Sequence, residues 1–193
     1  MMAEKDEKSL IQGAVKGEEQ DFEALVLMYQ NTAYNIAYKY FQNHHDALDA
    51  TQESFIKVFK NIKKFRQESS FKTWLYRIVM NTCNDILRSR KSRINPESIF
   101  KEGEEGEYIV QIEDKDKGPL EKIISGEESS GIMKSLYKLP KEQKEILILR
   151  DIEDLSYEEI GFILSLNPGT VKSRINRARL KLREVYMGDG GTL

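Results

Sequence analysis

The sequence predicts an all-α protein of two small helical domains, joined by a flexible acidic linker and closed by a helix-turn-helix. Three observations carry this. Apolar residues recur at helical spacing within residues 1–93 and again within residues 129–187, the two expected domains. Residues 94–128 lack any period and contain Pro96, Gly103, Gly106, Gly118, Pro119 and Gly126, as a chain with little core of its own does. The stretch Leu155–Arg183 reads as two helices around a tight turn.

Within that stretch Ser156 and Glu159 have the spacing of a capping box, the hydroxyl accepting from a backbone N–H and the carboxylate reaching back. Ile160, Ile163 and Leu164 follow at helical spacing. Pro168 interrupts them, because its ring disfavours helix in the residue before it. A second helix is expected from near Gly169–Thr170, burying Val171, Ile175, Ala178 and Leu182. Its other faces carry Lys172, Arg174, Arg177, Arg179, Lys181 and Arg183, with no acid among them. Such a helix suits a polyanion, and helix-turn-helix units lay their second helix in the DNA major groove. A solvated basic helix in an ordinary bundle is the plainer reading. The preceding helix, the turn and the small Gly161 favour the motif.

Taken in order, residues 9–17 predict a short helix with Leu10, Ile11, Ala14 and Val15 on one side. Asp21 is placed to cap the next, whose stripe is Phe22, Leu25, Val26, Tyr29, Ala33, Ile36, Ala37 and Tyr40. His44 and His45 open a third helix. They point in different directions and have no Cys or Glu-x-x-His partner nearby, so no metal site is expected. In this helix Leu48, Phe55, Ile56, Phe59 and Ile62 are expected to form the apolar face. Asp46, Asp49 and Glu53 form an acidic face with Gln52 alongside, a pattern that is usually only solvated.

Arg66–Ser70 reads as a polar loop, with Ser70 capping a helix whose stripe is Phe71, Trp74, Leu75, Ile78, Thr82 and Ile86. Its outward face is expected to hold Lys72, Tyr76, Arg77, Met80, Asn81, Asn84, Asp85 and Arg88, running into the basic Arg88–Arg93. Cations for phosphate, amides for base edges and aromatics for stacking suit single-stranded or distorted DNA. Beyond the linker, Ile132, Met133, Leu136, Tyr137 and Leu139 mark one helix and Pro140 ends it. Ile146, Leu147, Leu149 and Ile152 mark another, and Gly188–Gly191 reads as a frayed tail.

The net charge of −2 conceals an asymmetry. Residues 1–96 carry 15 Lys and Arg against 12 Asp and Glu, residues 97–128 carry 4 against 11, and residues 129–193 carry 11 against 9. Two mildly basic blocks thus flank an acidic one. The one cysteine, Cys83, excludes an internal disulfide and fits a small buried hydrophobe. The opening MMAEKDEKS has no apolar segment of a signal peptide, and no apolar run nears the roughly 18–20 residues of a membrane span. A cytoplasmic protein without direct membrane insertion is expected. No phosphate loop, metal cluster or nucleophile–base arrangement stands out, so neither catalysis nor a cofactor is expected.

Four motifs narrow the readings: DALDATQESFIKVFK at Asp46–Lys60, FKTWLYRIVMNTCNDILR at Phe71–Arg88, LPKEQKEILILR at Leu139–Arg150, and the helix-turn-helix at Leu155–Arg183. Together and in this order they resemble the extracytoplasmic-function (group IV) sigma factors of the sigma-70 family. The resemblance implies a sigma-2 module in residues 1–93, a sigma-4 module in residues 129–187, and a factor that directs core RNA polymerase to promoters. It implies that Asp49, Gln52 and Glu53 dock on the clamp coiled coil of the largest subunit, and that the polymerase flap region is a further contact. It implies that Asn81 reads an unpaired −10 base, with Arg66, Lys72, Arg77 and Arg88 on phosphates. Thr170, Lys172, Ser173, Asn176 and Arg177 would face the −35 element, with Arg174 and Arg179 on its phosphates. The linker would thread toward the active centre and RNA exit path. An anti-sigma factor is the implied inhibitor, able to hold the protein at the membrane, and the active form would be nucleoid-associated.

Two features depart from the family pattern. Ser165 stands where the turn often has glycine, implying slight strain or another cap. The paired tryptophans of primary sigma factors are absent, so melting rests on fewer side chains. Two other functions compete: a free-standing helix-turn-helix regulator, and a decoy that sequesters an anti-sigma factor.

Overall fold

A computed structural model of the chain describes residues 6–94 and 129–191; the expected linker lies outside them. These residues are helical, with no strand among them, and fall into two units on either side of the linker. No helix among the described residues is long and apolar enough to cross a membrane.

In the first unit α1 (Glu7–Lys16) is capped by Asp6, which accepts from the Ser9 N–H at 2.9 Å. α2 (Glu19–Phe41) buries Leu25, Tyr29, Ala33, Ile36, Ala37 and Tyr40, most of the predicted stripe. Asp21, expected as its cap, lies instead inside the first turn and is buried against Gly13 of α1. Any side chain at Gly13 would overlap the Asp21 carboxylate.

α3 (His44–Asn61), capped by Asn43, corrects the sequence reading. Its buried side is Ala47, Ala50, Thr51, Ser54 and Val58, continued by Ile62 in the 3₁₀ turn Ile62–Lys64. Leu48, Ile56 and Phe59, expected inside, are 39%, 53% and 58% exposed. α3 packs on α2, and a seam of small residues lets two helix backbones approach closely. Leu48 and Ile56 are thereby left on the other side, while the Phe59 ring lies at the rim, 5.1 Å from the Phe22 ring of α2.

α4 (Phe71–Ile94) packs against both α2 and α3, so its buried arc is wide. Tyr76 and Met80, expected outward, are buried with Val79 and Cys83 because two helices cover α4. Trp74, Ile78 and Ile86, expected in the core, lie half-buried at its edge. The Trp74 ring meets Phe65 at 5.0 Å and Phe71 at 5.8 Å, an aromatic wall beside the 66–70 loop. Ser70 caps α4 as expected, accepting from the Thr73 N–H at 3.0 Å.

The second unit runs α5 (Ser129–Lys138), α6 (Lys141–Leu147), a π turn (Ile148–Ile152), α7 (Tyr157–Leu164) and α8 (Pro168–Gly188). The capping box is present: Ser156 Oγ accepts from the Glu159 N–H at 3.2 Å, and the Ser156 N–H donates to Glu159 Oε2 at 3.0 Å. α8 begins slightly earlier than expected, with Pro168 at its first position and Asn167 accepting from the Thr170 N–H at 2.8 Å. Val171, Ile175, Ala178 and Leu182 are buried as predicted. The tail is not frayed through Gly191. Asp189 accepts from Ser135 Oγ at 3.0 Å and Lys138 Nζ at 2.6 Å, and the Gly191 N–H donates to the Tyr186 carbonyl at 3.0 Å.

Between α7 and α8, Ser165 takes the left-handed conformation at φ 57°, and the Leu166 N–H donates to the Gly161 carbonyl at 2.9 Å. A Cβ on Gly161 would stand 2.6 Å from the Leu166 carbonyl oxygen, which is backbone and cannot swing aside. Gly161→Ala should therefore destabilise the protein by about 1–3 kcal/mol, as overpacking does. Ser165→Gly relieves about 1–2 kcal/mol of left-handed strain at a cost of about 0.5–1 kcal/mol in chain entropy, a net gain of up to about 1.5 kcal/mol. Urea unfolding followed by circular dichroism should give opposite signs for the two. Equal stability of both variants to wild type would contradict this turn geometry.

Candidate functional site

At 3.6 residues per turn, Asp49, Gln52 and Glu53 share an arc of about 140° with Leu48, Ile56 and Phe59, opposite the buried alanines of α3. The acids are exposed. Glu53 receives Lys57 at 3.2 Å, and Lys57 also donates to Asp85 of α4 at 2.9 Å. Asp46 lies about 20° beyond Glu53 at the edge of this face and is tied to α4. Arg90 of α4 donates to both its oxygens, at 2.6 and 2.5 Å. The result is an outward face half apolar and half acidic. Sequence reasoning missed its apolar half by assigning those side chains to the core. The signal was the spacing of Ala47, Ala50 and Ser54.

On α4, Arg77, Asn81 and Arg88 lie within about 40° of one another, opposite the buried arc. Asn84 lies beside them, its side-chain oxygen accepting from the buried Tyr40 hydroxyl at 2.5 Å. Lys72 is about 180° around the helix from Asn81, with its ammonium 5.5 Å from the Tyr76 ring. Arg66 is exposed in the loop that follows Phe65. The structure thus gathers three of the five predicted residues on one face, and Lys72 is not on it.

On α8, Ser173, Asn176 and Arg177 stand about 130–170° from the buried stripe, with Thr170 and Lys172 about 90–110° from it. Ser173 Oγ donates to the Thr170 carbonyl at 3.0 Å, which fixes its hydroxyl. Leu180, unremarked in the sequence, continues this outward face and is exposed. Arg174 and Arg179 flank the stripe about 70° on either side. Arg174 reaches Glu142 at 3.4 Å, and Arg179 reaches Asp151 at 2.5 and 3.4 Å. Among the described residues no group of three or more His, Cys, Asp or Glu could hold a metal. The chemistry on offer is recognition: cations and amides for a polyanion, and a mixed face for a protein.

Residues 25–93 match the family Sigma-70 region 2, and residues 131–182 match Sigma-70, region 4. The chain is 37% identical to the ECF RNA polymerase sigma-E factor of Haemophilus influenzae, over 90% of this chain and 91% of that one. It is 34% identical to the ECF RNA polymerase sigma factor SigW of Bacillus subtilis, over 92% and 95%. Among solved structures it resembles the sigma factor RpoE of Bartonella quintana, crystallised with the anti-sigma factor NepR. That match has a TM-score of 0.62 and 25% identity, over 86% of this chain and 96% of that one. It shares its fold with CnrH, solved with the cytosolic domain of CnrY, at a TM-score of 0.64 and 23% identity over 93% and 96%.

The Arg90 hydrogen bonds hold the Asp46 carboxyl below the usual carboxylate range. A depressed folded-state pKa means the pair's stabilisation is complete above about pH 3.9, the unfolded value, and is lost as pH falls through the folded value. Asp46→Asn should thus lower the urea midpoint of the full chain near neutrality, and the gap to wild type should close as pH drops below about 4. A gap that persists unchanged in acid would show that the pair is not what holds α3 to the end of α4.

Proposed function

The chain belongs to the extracytoplasmic-function sigma factors of the sigma-70 family, and on that premise we propose that it binds core RNA polymerase and directs initiation at promoters by reading their −35 and −10 elements. The observation that carries this is the outward face of α3. A helix that buries alanines while exposing Leu48, Ile56 and Phe59 beside Asp49, Gln52 and Glu53 has a partner surface to cover them. We assign that face to the clamp coiled coil of the largest subunit and a second contact to the flap region. Asn81, with Arg77 and Arg88 beside it and Arg66 in the adjoining loop, is assigned to the unpaired −10 strand. The side of α4 occupied by Lys72 supports a different role for that residue. Thr170, Lys172, Ser173, Asn176 and Arg177 are assigned to the −35 duplex. Arg177 has the fork that pairs with a guanine edge.

Recognition rather than catalysis is the role, performed in the cytoplasm and on the nucleoid. An anti-sigma factor is the proposed inhibitor, supported by the RpoE–NepR complex among the similar structures. Asp49→Arg with Glu53→Arg should abolish co-elution with core polymerase in size-exclusion chromatography, with helical circular dichroism unchanged. Co-elution at near wild-type affinity would remove the docking assignment.

A further inference from the structure

Asp151 is an acid in a unit proposed to bind a polyanion, and its side chain is only 5% exposed. By charge alone it opposes that function. Its position says otherwise. Arg179 lays its guanidinium along the carboxylate, Nη2–H to Oδ1 at 2.5 Å and Nε–H to Oδ2 at 3.4 Å, and is itself 25% exposed. A charge-assisted fork of this kind fixes orientation as well as distance. Asp151 is in turn held by the π turn. The Glu153 N–H donates to the Ile148 carbonyl at 3.0 Å and the Leu155 N–H to the Leu149 carbonyl at 3.1 Å. Arg150 donates to the Leu155 carbonyl at 2.9 Å and lies 5.3 Å from the Tyr157 ring, tying the turn to the start of α7. On the other flank of the stripe, the exposed Arg174–Glu142 pair grips the far end of the same segment and is the weaker of the two.

We infer that Asp151 is a positioning residue for promoter reading. The buried Val171, Ile175, Ala178 and Leu182 seat α8 on the unit, and the Asp151–Arg179 fork removes the rotation about its own axis that this seat still allows. A rotation of about 20° moves a side-chain end, at a radius of about 5–6 Å, by about 2 Å. That exceeds what a base-edge hydrogen bond tolerates. Ser173, Asn176 and Arg177 therefore meet the groove in one orientation because Asp151 holds the helix, and Arg179 makes no phosphate contact. The inference rests on the proposed −35 reading.

The test uses the full chain in holoenzyme and two duplexes: a promoter recovered by sequencing transcript starts, and the same promoter with its −35 element scrambled. Binding is measured across a salt series. Asp151→Asn should weaken binding to the intact promoter on the order of tenfold and leave the scrambled one unchanged or tighter, a collapse of discrimination. Arg179→Gln should lose the same discrimination with its log K against log salt slope unchanged. The reversed pair, Asp151→Arg with Arg179→Asp, should restore most of it. If Arg179→Gln instead lowers the slope by about 0.9 on both duplexes, Arg179 is a phosphate contact and the inference fails. Asp151→Asn that tightens both duplexes alike overturns it too, since Asp151 would then be only a repelling charge. Should Asp151→Asn not fold, the reversed pair decides. A folded pair that discriminates supports the inference, and a folded pair that does not discriminate, or one that fails to fold, overturns it. Wild-type holoenzyme indifferent to −35 scrambling would overturn the −35 reading itself, with this inference, and that result is distinct from the others.

Discussion

The close approach of α2 and α3 is the constraint on which the first unit depends. Ala33 and Ala37 are buried on α2, and Ala47, Ala50 and Ser54 on α3, and the two helices pack on each other. Small side chains bring little apolar area into the core. They bring close backbone packing instead, and they oblige the larger side chains of α3 to face outward. Burying a large apolar side chain stabilises by about 1.5–3 kcal/mol, so leaving Leu48, Ile56 and much of Phe59 outside forgoes a stabilisation that a partner can supply. The acids among them give the same surface a charge and an orientation. Packing inside and an exposed mixed face outside are thus two sides of one choice of residues.

In the second unit a comparable closeness operates at a single point. Gly161 has no side chain where the Leu166 carbonyl passes, and Ser165 accepts a left-handed conformation to make the turn. Asn167 then caps α8 at once. With the turn fixed, the cations of α8 divide by angle. Arg174 and Arg179, beside the buried stripe, meet acids of the Lys141–Ile152 segment, Lys181 meets Glu184 of its own helix, and Arg177, opposite the stripe, faces outward. A helix that reads as uniformly basic thus has some of its cations neutralised within the fold.

Much of this was legible in the sequence. The α2 stripe, the Ser156–Glu159 capping box, the Ser70 cap and the buried stripe of α8 all follow from local spacing, and local spacing is what sets them. The face of α3 was not legible, because apolar size marks a buried stripe only where packing does not require small residues. Tyr76 and Met80 were misplaced because periodicity assumes one covering neighbour, and α4 has two. The Asp46–Arg90 and Asp151–Arg179 pairs join residues 44 and 28 apart, beyond the reach of any local pattern. Asp189 was read as tail because Gly188, Gly190 and Gly191 surround it, while its partners lie on α5.

As a sigma factor, the chain acts through both recognition units at once, with polymerase, on one promoter. The most direct measurement is run-off transcription of genomic DNA by purified core RNA polymerase with and without the chain, followed by sequencing of the transcript starts. The account predicts new starts that appear only with the chain and share one −35 and one −10 element at fixed spacing. Tight, sequence-specific binding to duplex DNA without polymerase, with no new starts when polymerase is present, would contradict it and mark a free-standing regulator.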